Sequence, residues 1–100
     1  MHDWHFHFEW DEVKAARNER KHGVAFDLAR SIFNDPRLVT VADLDHSEGE
    51  ERWFSIGRAS NGVMLSVAYL WERSNDAIKI RIISARKATR AEISQYEESL

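Results

Sequence analysis

Residues 52–85, RWFSIGRASNGVMLSVAYLWERSNDAIKIRIISA, decide the fold. Arg52 to Arg58 reads as a strand with Trp53 and Phe54 inside it. Ala59–Ser60–Asn61–Gly62 contains Asn-Gly, the strongest short hairpin signal. Val63 to Trp71 is the next strand, Arg73 to Ala77 reads as a polar loop, and Ile78 to Ala85 is a last strand. In that last strand Ile78, Ile80 and Ile82 share one face and Lys79, Arg81 and Ile83 the other, the period of two that a half-buried strand requires.

Working outward, Trp4, Phe6, Phe8 and Trp10 alternate with His5, His7 and Glu9, which predicts a first strand with one aromatic face. Asp11 is placed as an N-cap, with Glu12 in the first turn of a helix that runs to about Lys21. Gly23 is placed to close that helix in the left-handed conformation. A second helix is expected from Phe26 to Phe33, ended by Asn34–Asp35–Pro36. Leu38 to Ala42 reads as a strand, and residues 43–51, DLDHSEGEE, as a highly charged turn. Beyond the hairpins, Ala88 to about Glu98 is a final helix. The order β-α-α-β-β-β-β-α predicts an α+β domain, a small mostly antiparallel twisted sheet with two N-terminal helices and one C-terminal helix over one face.

One hundred residues with 43% hydrophobic content are enough for a single domain of about two layers, so residues 1–100 are read as one unit. No apolar run approaches the ~20 residues of a membrane helix, and no membrane association is expected. The first ten residues lack the continuous apolar stretch of a signal peptide. The absence of Cys excludes disulfides and thiolate metal sites, and fits a cytoplasmic chain. The net charge of −3 argues against a nucleic-acid binder when taken whole, but it is unevenly spread. Residues 1–51 hold 12 acids and 6 bases, whereas residues 52–90 hold 8 bases and 2 acids. The second half therefore has the charge to present a basic face to an anion, or simply to solvate exposed strands.

Several side chains carry candidate chemistry. His22 reads equally as a helix C-terminal cation or as a proton donor, and His46 lies in the acidic turn; both are natural acids or bases near neutral pH. Glu48, Glu50 and Glu51 stand near His46 in sequence, as solvated loop charges or as a general base. Arg81 and Arg86 bracket a buried strand core. Arginines on rigid strands suit bidentate binding of phosphate, although salt bridges to the acidic first half account for them as well. His5 and His7 form an H-x-H that would bind a metal only with a third ligand such as His2 or His46, and none has a diagnostic spacing; no metal or other cofactor is assigned. No P-loop, G-x-S-x-G, G-x-G-x-x-G or H-E-x-x-H occurs. RNA brings its own nucleophile, the 2′-OH, so a metal-free ribonuclease needs only a base, an acid and cations at the phosphate.

Four segments together resemble the BrnT family of toxins. They are Phe8–Glu9–Trp10–Asp11 with Lys14–Ala15 and Asn18; Lys21–His22–Gly23–Val24 with Phe26 and Phe33–Asn34–Asp35–Pro36; Asp45–His46–Ser47 with Glu50–Glu51–Arg52 and Ile56–Gly57–Arg58; and Arg81–Ile82–Ile83–Ser84–Ala85–Arg86 with Ala88, Glu92 and Tyr96–Glu97. The resemblance covers about residues 8–97. It implies a RelE-like fold and a ribonuclease that cuts RNA without a metal to inhibit translation. It also implies a BrnA-type antitoxin, whose ribbon-helix-helix part binds operator DNA so that the pair represses its own operon. On this reading His22, His46, Glu51, Arg81 and Arg86 are the catalytic set, and Lys21, Arg52 and Arg58 contact the RNA phosphates.

The sequence departs from the family pattern at Ala25, where Ser is usual as a helix cap. It departs again at Tyr69–Leu70–Trp71–Glu72–Arg73, where a His-Thr-Glu-Arg-like run is usual. The loop Ser74–Ala77 also looks longer, and Met1 to His7 extend beyond the pattern. A rival expectation is therefore a non-enzymatic or inactive toxin-fold module that acts only through its antitoxin or another protein target.

Overall fold

The computed structural model describes residues 5–42 and 51–99. Strand β1 is His5–Glu9, helix α1 Glu12–His22, and helix α2 Phe26–Ala29, which tightens into a 3-10 turn over Arg30–Asn34. Strands β2 (Val39–Ala42), β3 (Arg52–Arg58), β4 (Met64–Ser74) and β5 (Ala77–Lys87) follow, and helix α3 is Arg90–Glu98. The five strands form one sheet in the order β1-β5-β4-β3-β2. All neighbours are antiparallel except β1, which pairs in parallel with β5 at the edge. No helix among the described residues is long and apolar enough to cross a membrane.

Local chemistry explains most boundaries. The Asp11 carboxylate accepts from the amides of Val13 and Lys14 and starts α1, and Gly23 at φ 71° ends it. Thr89 and Glu92 form a reciprocal capping box at the start of α3. Asp35 is extended, as its place before Pro36 demands. Ala25 caps α2 with no side-chain bond. Ala25→Ser is therefore expected to stabilise the fold by about 0.5–1 kcal/mol, read as a rise of roughly 4 °C in thermal unfolding; no rise would mean the short helix does not respond to its cap.

One face of the sheet carries the core. Leu65, Val67, Tyr69, Ile80, Ile82 and Ala85 pack against Val24, Phe26, Ala29 and Ile32. Phe8 and Trp10 extend this layer, with rings 5.4 Å from Phe33 and 6.0 Å from Phe26. Gly57 admits the 3-10 turn: a Cβ there would stand 2.7 Å from Leu38 Cδ1 and 3.1 Å from Ile32 Cβ. Asn18 ties α1 to the free edge of β5. Its amide donates to Ala85 O at 2.8 Å and to Val24 O at 3.1 Å, and its carbonyl accepts from Ala85 N at 3.1 Å.

Three features differ from the sequence reading. Strands β4 and β5 run through most of the supposed loop at residues 73–77, leaving a two-residue turn, Asn75–Asp76, with Asn75 at φ 51°. The charges there solvate strand ends and do not mark a break. Helix α3 does not join the other helices: it packs on β3 from the opposite face, bonding Ser66 and Arg86, whose strand neighbours Val67 and Ala85 point into the core. The alternation of β5 also breaks at a bulge between the Tyr69–Ile82 and Ala68–Ser84 pairs. The extra residue, Ile83, advances the phase, so Ile82 and Ala85 are both inward and Arg81, Ser84 and Arg86 share the outer face.

Candidate active site

The outer face of the sheet is organised in rows by strand register. Arg52, Leu70 and Arg81 stand side by side on β3, β4 and β5, with Glu9 of β1 beyond. The next row is Phe54, Ala68 and Ser84, and the third is Ile56, Ser66 and Arg86. Two grooves lie over these rows. One, of about 420 Å³, is lined by Glu9, Glu51, Leu70, Trp71, Glu72, Lys79 and Arg81. The other, of about 280 Å³, is lined by Arg52, Phe54, Ser66, Ala68, Ser84, Arg86 and Glu92.

The two grooves are held differently. Arg86 is fixed by α3. Its Nη1 and Nη2 donate to the two Glu92 oxygens at 2.7 and 3.0 Å, while Glu92 also accepts from Thr89 N at 2.8 Å and from Ser66 Oγ at 3.4 Å. Burial pushes the Glu92 carboxyl up, but the bonds from Arg86 and from the Thr89 amide outweigh it and hold the group below the ordinary glutamate range. The same pair raises Arg86. Arg81 is different: among the described residues its guanidinium is in no hydrogen bond or ion pair, and it acts only at a distance on Asp11. Lys79 and Glu9 flank it, 4.0 Å apart.

The face is not a continuous basic surface. Arg52, Lys79, Arg81 and Arg86 share it with Glu9, Glu51, Glu72 and Glu92. The surplus cations of residues 52–90 thus interleave with carboxylates drawn from along the chain, an arrangement suited to proton transfer beside an anion.

Of the sequence-based candidates, the structure brings Arg52, Arg81, Arg86 and Glu51 to this one face. Lys21 and His22 sit in the last turn of α1 before Gly23 and line neither groove. Arg58 is engaged at the far end of β3, where its amide donates to Asp35 at 2.8 Å and its guanidinium to Gly62 O at 3.0 Å. Asp35 also accepts from the Tyr96 hydroxyl at 2.8 Å, which fastens α3. His46 lies outside the described residues. Among those described, no cluster of His, Asp and Glu is arranged to hold a metal ion. The sequence reading missed Glu92 and Phe54. The capping-box pattern Thr-x-x-Glu was a signal for the first, but nothing local showed that the same carboxylate reaches across to Arg86.

A family model described as the ribonuclease toxin BrnT of type II toxin–antitoxin systems matches residues 10–92. The chain belongs to the BrnT toxin family. A BrnT crystal structure from Brucella abortus, titled a ribonuclease toxin, superposes with a TM-score of 0.58 at 19% identity, covering 86% of this chain and 99% of that one. That likeness establishes the shared α+β fold. No curated protein sequence matches. In this chain Leu70 and Trp71 line the groove beside Arg81. Tyr69 is turned inward, 2.6 Å from Ser55 Oγ, while Leu70 occupies the centre of the row between Arg52 and Arg81.

Proposed function

We propose that this BrnT-family protein is a metal-independent endoribonuclease whose reaction takes place on the outer sheet face. The observation that carries the reading is the convergence of Arg52, Arg81 and Arg86 with Glu51 on one open face, in a chain of a ribonuclease toxin family. The 2′-OH of the substrate attacks the adjacent phosphorus, and the bond to the 5′-oxygen of the next nucleotide breaks. Glu51, which lines the Arg81 groove, takes the 2′-OH proton. Arg81 and Arg52 stabilise the charge that develops on the phosphoryl oxygens. His46, five residues before Glu51, serves as the proton donor to the leaving oxygen on sequence grounds. The antitoxin is of the BrnA ribbon-helix-helix type, operator DNA is met only through it, and the pair acts in the cytoplasm as a repressor of its own operon. Lys21 and His22 are given no part in the chemistry.

The purified protein is expected to cut single-stranded RNA in the presence of EDTA, leaving 5′-hydroxyl ends. Cleavage abolished by EDTA and restored by a divalent ion would overturn the metal-free mechanism. No cleavage under any condition, with a stable antitoxin complex, would favour the rival module acting only through its antitoxin, which Leu70 at the centre of the site supports.

A further inference from the structure

The two arginine rows are separated by a row of a different character. Residues on one face of a strand recur every ~6.8 Å, so the Arg52–Arg81 row and the Arg86 row stand about 13 Å apart along the strands. One phosphate does not span both rows. Between them lies Phe54, among the described residues the one aromatic side chain lining the 280 Å³ groove, flanked across the sheet by Ala68 and Ser84. These small neighbours leave open space beside the ring. Helix α3 covers the Ile56 row, where Ile56 is fully buried, but the Phe54 row remains open to the groove.

A partly buried phenyl ring that lines the groove beside small residues, with a guanidinium at either end, fits a flat apolar group whose two flanks are anionic. The groove, of about 280 Å³, lies at the small end of ligand-pocket sizes. We infer that Phe54 is a base-stacking residue that holds one unpaired nucleotide of an RNA strand, with the flanking phosphates on the Arg52–Arg81 and Arg86 rows. This rests on the ribonuclease reading and narrows its substrate to single strands, because a base paired within a duplex does not offer its face to a side chain on a sheet.

The test is binding of a fluorescent 2′-O-methyl RNA oligonucleotide, which lacks the nucleophile, by wild type, Phe54→Ala, Phe54→Leu and Phe54→Trp, with cleavage of the unmodified strand measured alongside. Phe54→Ala is expected to weaken binding roughly 5- to 150-fold, the range of one aromatic–base stack. Phe54→Leu, which keeps apolar bulk, is expected to weaken it nearly as much, and Phe54→Trp to retain it. The same oligonucleotide as a duplex is expected to bind more weakly and without regard to residue 54. Wild-type affinity and cleavage in Phe54→Leu would overturn the stacking role and leave the ribonuclease reading standing. Failure of the wild type to bind or cut any RNA would overturn both.

Discussion

Replacing Arg81 by alanine is expected to lower RNA cleavage by about 10²–10³-fold, the usual cost of one charge-stabilising donor at a developing oxyanion, while thermal stability changes by no more than about 0.5 kcal/mol. The two halves of this expectation have one cause. Among the described residues the Arg81 guanidinium is in no hydrogen bond or ion pair, and the residue is exposed. Its removal leaves no buried partner orphaned. Its position, in a row with Arg52 and across from Glu9, is instead where an anion finds an uncommitted fork. Arg81→Lys keeps the charge and loses the planar pair of donors, so it is expected to recover only part of the rate. Initial rates on a defined single-stranded RNA, beside thermal melts of each variant, check both. An Arg81→Ala protein that cleaves at the wild-type rate would remove Arg81 from the site.

Glu92→Ala is expected to have the largest effect on stability, a loss of about 2–3 kcal/mol, or roughly 10–20 °C in thermal unfolding. The carboxylate receives four donors: both terminal nitrogens of Arg86, the Thr89 amide and the Ser66 hydroxyl. The capping box contributes about 1 kcal/mol of the total. The ion pair supplies the rest, discounted for solvent because the Arg86 side chain is 43% exposed although that of Glu92 is only 15% exposed. RNA cleavage falls with it, since Arg86 is no longer aimed. The sign of the pH dependence follows from the depressed carboxyl. Its contribution is complete above the ordinary glutamate value of about 4.3 and is lost as the pH falls through that value towards the lower folded one. Asp35, which burial pushes up but the Arg58 and Arg37 amides and the Tyr96 hydroxyl hold down, works in the same direction on the same helix. The gap in melting temperature between wild type and Glu92→Gln should therefore narrow from pH 7 to pH 3. A constant gap would mean that the charge of Glu92 stabilises nothing.

Much of this molecule is legible along the chain because its determinants are local. Asp11, Gly23 and Thr89 mark helix ends with groups that bond within four residues, and the alternation of Ile78, Ile80 and Ile82 marks a strand with one buried face. The determinants that failed to show are those settled at a distance. The parallel docking of β1 on β5 depends on residues about seventy positions apart. The side chosen by α3 depends on Tyr96 reaching Asp35 and Glu92 reaching Arg86. The candidate face was legible in part. The arginines and Glu51 stood out by charge, whereas His22 drew attention by residue type and proves to sit in a helix end that lines neither groove. Phe54 was read as strand material, since an aromatic on the open face and one in the core have the same local signature.

The bulge at Ile83 makes the site depend on chain length as well as on chemistry. Side chains on one side of a regular strand are separated by even numbers, and Arg81 and Arg86 are five apart. Only the additional residue reconciles that odd spacing with a shared face. With the five-residue interval kept, a strand without the bulge would turn Arg86 to the core side and Ala85 outward, although no contact residue had been replaced. The odd interval between its two arginines is thus itself a readable mark that the strand carries an extra residue between them.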